Sequence, residues 1–290
     1  MDSAFRRSYH QAEAALTQAL QGEVEPKGLL TRLHLAPDHR AEDVDAARMG
    51  DELWAVARLL DGNPTLRRSL ADPSREGEDR AGLAGQLLSG KIGQEALHVT
   101  QAVVAQRWAG PGVLVDALVR LGVEAVLAHA ERHARLGQVE DELFRFSRIV
   151  EGDTDLQAAL SDRRAEASAR VALGDRLLSG KAAPETVSLA RQAASGTRAR
   201  RFDRAVTAYL EQAAERQQQV TATVTSAVPL TEEQHARLVR TLSHQYGRQV
   251  HTNVVIDADV VGGIRVEIGD EVIDGTVSHR LADARRRMTS

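Results

Sequence analysis

Two different patterns of hydrophobic and polar positions divide the chain near residue 219. Before this point apolar residues recur three and four positions apart, which is typical of amphipathic helices. After it, short segments alternate between apolar and polar residues, as in VTATVTSAV (220–228) and IRVEIG (264–269). Such alternation predicts strands with one buried face. The sequence therefore predicts a mainly α protein that ends in a small α+β domain.

The C-terminal region also carries helix signals. Residues 231–247, TEEQHARLVRTLSHQYG, begin with Thr231 as an N-cap and end at Gly247, so they predict a helix between strands. The segment SHRLADARRRM (278–288) predicts a short closing helix. We therefore expect residues 219–290 to form a small sheet with two helices.

The helical region contains an internal duplication. DELWAVARLLDGNPTLRRSL begins at Asp51 and DELFRFSRIVEGDTDLQAAL begins at Asp141, an offset of 90 residues. Residues 51–91 and 141–181 align without a gap, and 16 of the 41 aligned positions are identical. Chance identity at this composition is far lower. We therefore interpret the helical region as two tandem copies of one unit.

Each copy predicts four short helices, each with one apolar stripe. A fourth helix is expected at about 94–107 in the first copy and at 185–195 in the second. Residues 21–47 carry Pro, Gly and many charges without a counterpart in the second copy, so they predict an insertion or linker. The sequence thus predicts one bundle over residues 1–112 and a second over 113–218. The first three helices are expected to end near Gly62, Leu70 and Gly90 in the first copy, and near Gly152, Leu160 and Gly180 in the second.

One long helix is expected to belong to both bundles. The segment from Pro111 to about Leu136 closes the first copy and opens the second, and Pro suits a first helical turn. It is apolar around most of its circumference, which predicts that it is covered on more than one side. Gly122 is expected to permit close packing, although it costs about 1 kcal/mol relative to Ala. The charges between residues 113 and 128 form one narrow stripe: Asp116, Arg120 and Glu124.

Composition excludes several classes of function. The net charge of −4 argues against a general nucleic-acid binder, which needs a basic excess. The absence of cysteine excludes disulfides, thiolate metal sites and cysteine nucleophiles. The sequence contains no apolar run near the roughly 18 residues that span a bilayer, and its start lacks a secretory signal. We therefore expect a protein of the cytoplasm, or of the cytoplasmic face of a membrane complex.

The segment GQLLSGKI, Gly85 to Ile92, is similar to a phosphate-binding loop of the form G-x-x-x-x-G-K-[ST]. Ile92 replaces the hydroxyl residue that would bind magnesium, and the segment ends a helix instead of following a strand. In the second copy the spacing from Gly174 to Gly180 is one residue too long. A phosphate-binding enzyme is therefore disfavoured, and SGK is interpreted as a helix C-terminus.

Other candidate groups are weaker. His129 and His133 lie four apart on a predicted helix, a metal-ligand spacing, but Ala130 stands where a zinc-protease helix needs Glu and no third ligand is near in sequence. We interpret both as solvated surface residues. The basic run 285–287 is interpreted as a solvated helix end, and Asp270-Glu271 as a hairpin turn. We find no catalytic constellation, and predict no cofactor-binding or metal site.

The C-terminal segment carries a resemblance to a known family. VVIDADVVGGIRVEIGDEVIDGTVSHRL (254–281) resembles the C-terminal signature of the delta subunit of rotary ATP synthases, called the oligomycin-sensitivity-conferring protein in mitochondria. Residues 224–250 are also similar to this family, and 113–218 resemble its N-terminal helical bundle. The extra helical copy departs from the usual single bundle. The residues that match the signature are Asp257, Gly262-Gly263, Ile268, Gly269-Asp270, the run Val272 to Gly275, and Arg280-Leu281.

The resemblance implies a non-catalytic stator subunit of the proton-driven ATP synthase. Its helical part would contact the alpha and beta subunits of the catalytic head, and residues 219–290 would bind the b-type peripheral stalk. It implies a peripheral location on the cytoplasmic side of the cell membrane, through the complex alone. The alternative is a helical repeat scaffold unrelated to ATP synthesis. Candidate structural or interface residues are Gly262, Gly263, Asp270, Asp274 and Gly275.

Overall fold

The chain folds as two compact units, Met1–Ala213 and Ala214–Ser290. The computed structural model describes residues 3–22, 44–162, 164–199, 201–217, 220–246, 250–257, 260, 262–268 and 271–275. The predicted fold class, mainly α with a small α+β part at the C-terminus, is confirmed.

The described part of the first unit is built of helices. The sequence boundary between the two units, after Ala213, falls within the last of these helices. A short 3₁₀ segment at Thr197–Ala199 precedes that last helix. The helices are α1 (Ser3–Leu20), α2 (Ala46–Gly62), α3 (Pro64–Leu70), α4 (Gly77–Leu88), α5 (Gln94–Ala105), α6 (Pro111–Arg132), α7 (Leu136–Gly152), α8 (Thr154–Ser161), α9 (Ala167–Leu178), α10 (Pro184–Ser195) and α11 (Phe202–Gln217).

The duplication is visible in the helix bounds. Helices α2 to α5 recur as α7 to α10 with an offset of 90 residues at every start, and only the last residue of α8 departs from it. The predicted stops at Gly62 and Gly152 are confirmed. Helices α4 and α9 end two residues before Gly90 and Gly180, which adopt left-handed backbone angles with φ of 73° and 71°. Glycine populates this region without a Cβ penalty, and this is why SGK ends a helix.

The predicted insertion at 21–47 is described only at its margins. Gln21 and Gly22 form a turn after α1, and residues 23–43 lie outside the described part of the chain. The predicted end of the insertion is two residues too late, because Ala46 and Ala47 already belong to α2. The carboxylate of Asp45 accepts from the main-chain N–H of Arg48 at 2.9 Å and caps this helix.

The long helix α6 is continuous over 22 residues and packs against both copies. It contacts α2 of the first copy and α7 and α10 of the second, and Leu118 and Val119 on it are buried. One hydrophobic core extends through both copies, from Tyr9 to Ala213. The predicted sharing of a helix is therefore confirmed. Two bundle boundaries at residues 112 and 218 remain an interpretation of the duplication.

The predicted end of that helix at Leu136 is wrong. Helix α6 ends at Arg132, and Leu136 begins α7. Ala134 adopts φ 54°, and the main-chain N–H of Arg135 donates to Ala130 O at 2.7 Å. This is a left-handed helix ending of the kind usually made by glycine. Because alanine occupies the position, the sequence carries no stop signal there.

The second unit contains a four-stranded sheet in the order β2-β1-β3-β4. Its described elements are β1 (Val220–Ser226), α12 (Glu232–Tyr246), β2 (Val250–Ile256), β3 (Ile264–Ile268) and β4 (Glu271–Asp274). Strand β1 pairs in parallel with β2 and antiparallel with β3, and β3 pairs antiparallel with β4. Helix α12 packs on β2 and connects the two parallel strands. The predicted strands and the helix between them are confirmed.

In this unit the predicted helix start at Thr231 is confirmed, whereas the predicted turn position of Glu271 is not. The hydroxyl of Thr231 accepts from the N–H of Gln234, whose side chain accepts from the N–H of Thr231, so the two residues form a capping box. Glu271 pairs with Ile268 as the first residue of β4, so its placement in a turn is corrected. Gly247 and the predicted closing helix at 278–288, with its basic run, lie outside the described residues.

Candidate docking surfaces

Helices α2 and α6 are packed closely around two glycines. A Cβ atom on Gly50 would lie 2.7 Å from a methyl carbon of Val126 and 2.8 Å from Gly122 O, and one on Gly122 would overlap the indole of Trp54. The Trp54 indole N–H donates to Val119 O at 3.0 Å. Gly122 therefore permits close packing inside a continuous helix, as the sequence predicts.

The equivalent face in the second copy is more exposed. In α2 the stripe formed by residues 47, 50, 54, 57 and 61 is buried or half-buried, with Trp54 at 1% exposure. On α7 the central equivalent, Phe144, is 53% exposed. This stripe is called the α7 face below, and it consists of Gly137, Glu140, Phe144, Ser147 and Glu151. The second copy therefore has an exposed helix face, whereas the equivalent face of the first copy is covered.

Polar contacts tie the two copies together. Arg58 on α2 donates to Gln192 Oε1 on α10 at 3.1 Å, and Ser188 on α10 donates to Asp51 Oδ1 at 2.9 Å. The main-chain N–H of Arg198 donates to Asp61 Oδ2 at 2.7 Å. Together with the common core, these contacts hold the two copies as one body.

One partly buried polar contact occurs in both copies, and sequence reasoning missed it. Glu52 accepts from the N–H of Gly93 at the start of α5, and Glu142 accepts from the N–H of Ala183 at the start of α10, each at 2.8 Å. A carboxylate at a helix N-terminus satisfies an N–H group and favours the helix dipole. The signal was available, because both acids are among the identities of the duplication.

Hydrogen bonds keep Glu142 ionised. Burial raises the pKa of its carboxyl, but bonds from Thr186, Gln138 and the main chain of Ala183 outweigh this effect. The pKa of Glu142 therefore lies below its usual range. The hydroxyl of Thr186 donates at 2.6 Å and the amide of Gln138 at 2.7 Å.

The structure adds a carboxylate to the histidine pair. His129 Nδ1 lies 2.8 Å from Glu185 Oε1, and Glu185 is buried at the start of α10. The guanidinium of Arg135 binds both oxygens of Glu185. The interpretation of both histidines as solvated surface residues is therefore wrong for His129, which is half-buried, while His133 is exposed. The third group lies 56 residues away in sequence, and this explains why spacing did not reveal it.

The glycines singled out in the second unit lie at one end of the β3–β4 hairpin. Gly262 and Gly263 have φ of 65° and 83° and precede β3 directly. The N–H of Gly275 donates to Ile264 O at 2.9 Å, and a Cβ there would lie 3.1 Å from that oxygen. Asp274 pairs with Arg265 through the backbone, and Asp270 lies outside the described residues.

The face of the sheet opposite α12 carries exposed apolar side chains. Val255 on edge strand β2 and Val272 on edge strand β4 are 47% and 51% exposed. Arg265 and Glu267 on β3 form an ion pair at 2.7 Å. This surface is called the open sheet face, and it consists of Thr223, Thr225, Val255, Arg265, Glu267 and Val272.

Comparisons with known proteins decide the family. Residues 123–288, more than half of the chain, match the family model described as ATP synthase delta (OSCP) subunit. The chain belongs to the ATP synthase delta (OSCP) family. The "ATP synthase subunit delta" of Kineococcus radiotolerans is 49% identical over 248 residues, covering 86% of this chain and 90% of that protein. The protein of the same name from Parafrankia sp. is 43% identical over 289 residues, covering 100% of both chains.

The family match relates directly to the duplication. It begins at residue 123, inside α6, and so covers the second copy and the sheet unit. The first copy lies mostly outside the delta-family model, but relatives of the same name extend across it. Within the described residues, no helix is long and apolar enough to cross a membrane.

The segment similar to a phosphate loop has a structural role. Gly85 to Leu88 form the last turn of α4, and Gly85 packs against the Gln101 side chain on α5. The N–H of Lys91 donates to Leu88 O at 2.9 Å across the left-handed Gly90. The interpretation of SGK as a helix C-terminus is confirmed.

Proposed function

We propose that this protein is a non-catalytic stator subunit of the rotary ATP synthase. It links the catalytic alpha/beta head to the b-type peripheral stalk and is held at the cytoplasmic side of the cell membrane through the complex. The observation that carries this proposal is the full-length likeness to a protein named ATP synthase subunit delta. It has no need of a cofactor, because its task is to resist motion between other subunits.

The structure of the helical unit is suited to a stator subunit that resists torque. Proton flow turns the rotor, so the stator must prevent the head from turning with it. Such a part needs a stiff body, and protein interiors that are closely packed transmit strain. The common core, the shared helix α6 and the polar contacts between copies supply that stiffness.

We infer that the second copy contacts the head through the α7 face. In the first copy the chain covers the equivalent stripe with α6, whereas Phe144 on α7 is half-exposed. A large aromatic side chain at the centre of an exposed stripe is typical of an interface anchor. We propose that a helix of the catalytic head packs on α7 in the same way as α6 packs on α2.

The second unit is proposed to bind the b-type stalk through the open sheet face and the β3–β4 hairpin. Exposed valines on both edge strands and the Arg265–Glu267 ion pair give this surface apolar and polar contacts. Gly262, Gly263, Asp274 and Gly275 would shape the hairpin, and these residues, like the further interface candidate Asp270, would take no part in chemistry. No nucleic acid is among the proposed partners, in keeping with the net charge of −4.

Co-purification tests this proposal. The full chain, expressed with an N-terminal tag in its native cells, should recover the alpha and b subunits from detergent-solubilised, salt-washed membranes. Phe144→Ala should reduce recovery of alpha and leave recovery of b unchanged. Ile149→Ala is the matched control, because Ile149 is 60% exposed on the same helix but lies off the α7 face.

The outcomes separate the alternatives. Recovery of neither alpha nor b would contradict the stator proposal and favour a helical scaffold unrelated to ATP synthesis. Recovery of both by Phe144→Ala at the level of the unchanged chain would contradict only the assignment of the α7 face. A chain lacking residues 219–290 that still recovers b normally would contradict the docking role of the second unit.

A further inference from the structure

A pair of histidines stands at the junction of α6 and α7, against the first turn of α10. His129 lies in the last turn of α6 and His133 is the first residue after that helix. Glu185, the second residue of α10, is buried beside them. Ligand atoms of the three residues lie within 4.8 Å of one another. The stator function proposed above assigns no role to this cluster.

Both imidazole rings are held by their Nδ1 atoms. His129 Nδ1 lies 2.8 Å from Glu185 Oε1, and His133 Nδ1 lies 2.8 Å from His129 O. A carboxylate and a main-chain carbonyl both accept hydrogen bonds, so in the neutral form of each imidazole Nδ1 carries the proton and Nε2 carries the lone pair. Neither Nε2 has a hydrogen-bond partner within the part of the chain that the structure describes.

The geometry brings the two rings together. Their centroids are 4.2 Å apart and the ring planes are tilted by 34°. Because both Nδ1 atoms are engaged in hydrogen bonds, each ring offers Nε2 as its remaining nitrogen donor. An Nδ1–H bonded to a carboxylate or a carbonyl is the usual outer support of a metal-binding histidine.

Arg135 does not compete for this pair of donors. Its guanidinium binds both oxygens of Glu185, so the acid is compensated and fixed in position. Glu185 is therefore suited to orient His129, not to serve as the main ligand. The arrangement is a chain of contacts from Arg135 through Glu185 to His129, ending at the lone pair of Nε2.

We propose that the Nε2 atoms of His129 and His133 bind one divalent transition-metal ion, such as Zn²⁺, with water completing its coordination. Imidazole donors suit zinc, nickel and copper, whereas Mg²⁺ and Ca²⁺ prefer oxygen ligands and are not bound here. The bound ion would cross-link the last turn of α6 to the residue that follows it. It would thereby hold the left-handed turn at Ala134 through which the chain enters α7.

Isothermal titration of the full, untagged chain with ZnCl₂ tests this site. The unchanged chain should show saturable binding that MgCl₂ does not reproduce. His133→Ala is the main variant, because His133 is exposed and its loss leaves the core intact. It should weaken Zn²⁺ binding at least tenfold. His10→Ala, which removes an exposed histidine of α1, should leave binding unchanged.

Two further measurements distinguish this site from weak binding of Zn²⁺ to scattered surface histidines. Glu185→Gln should weaken Zn²⁺ binding about 10- to 100-fold, as expected for a residue that orients a ligand. Zn²⁺ should raise the thermal midpoint of the unchanged chain and not that of His133→Ala. Absence of saturable Zn²⁺ binding, or equal binding by the unchanged chain and His133→Ala, would overturn the proposal.

Discussion

Arg80 and Arg170, 90 positions apart, make four equivalent hydrogen bonds in the two copies, and Arg80 makes a fifth, to Gln106 O. Arg80 Nε donates to Val104 O at 2.8 Å near the end of α5, and Arg170 Nε donates to Ala194 O at 2.9 Å near the end of α10. Their remaining N–H groups donate to other carbonyls at those helix ends and in the loops before α4 and α9. Each arginine thus binds a loop to a helix C-terminus.

Replacing Arg80 should strongly destabilise the helical unit. Arg80 is 2% exposed and donates to five main-chain carbonyls, and Arg80→Met would remove all five of these hydrogen bonds. We expect a loss of at least about 3 kcal/mol in the free energy of unfolding, measured by urea denaturation. Arg80→Lys should restore only part of the lost free energy of unfolding, because a lysine ammonium group cannot reproduce the planar set of N–H donors of a guanidinium group. A loss below about 1 kcal/mol for Arg80→Met would contradict this role.

Gly122→Ala should destabilise the contact between α2 and α6, although alanine is the better helix former. The added methyl would overlap the Trp54 indole, so a loss of about 1–3 kcal/mol is expected together with a change in tryptophan fluorescence. Gly82→Ala is the matched control, since nothing lies within 4 Å of a Cβ at this helical position. It should leave stability unchanged or raise it by up to about 1 kcal/mol.

Helix bounds were predictable because their signals are local. Gly62, Gly152, Gly90 and Gly180 end or follow helices in both copies, and the duplication allows each to be checked against its equivalent. The end of α6 was not predictable in this way. Ala134 takes a left-handed conformation there, and an alanine in the sequence gives no sign of it.

Glu142→Gln should change both stability and its pH dependence. The hydrogen bonds that lower the pKa of Glu142 are present only in the folded chain, so they stabilise it above the unfolded pKa of about 4.3. This contribution is lost as the pH falls through the lower pKa of the folded state. At pH 7 the variant should be less stable by about 1–3 kcal/mol.

Urea denaturation of Glu142→Gln and of the unchanged chain, from pH 7 to pH 3, checks this expectation. The difference in the free energy of unfolding between the two proteins should narrow as the pH falls below about 4.3. Glu211→Gln, at an exposed position of α11, is the matched control and should follow the unchanged chain throughout. A gap that stays constant over the whole range would refute the assigned cause.

Gly263→Val should destabilise the sheet unit, because φ at this position is 83°. A β-branched residue is strained in the left-handed region, and a loss of about 1–2 kcal/mol or more is expected. Gly263→Asn is the matched control, since asparagine tolerates this region better, and its loss should be clearly smaller. Circular dichroism during thermal unfolding gives the comparison. Equal losses for the two variants would show that the backbone angle is not the cause.

The surfaces and clusters of the structure were less accessible to sequence reasoning than its helices. A hydrophobic pattern places Phe144 on a helix face but does not say whether another helix covers it. The contact of His129 with Glu185 joins residues that only the tertiary fold brings together. The equivalent arginines Arg80 and Arg170 were visible as an identity, but their carbonyl partners were not.

The most direct test of the central claim is proton-driven ATP synthesis by membrane vesicles from cells that lack this chain. The stator account predicts that such vesicles make no ATP when a proton gradient is imposed, while the catalytic head still hydrolyses ATP. Addition of the purified full chain should restore synthesis, and the chain lacking residues 219–290 should not. Synthesis at the same rate with and without the chain would contradict the account.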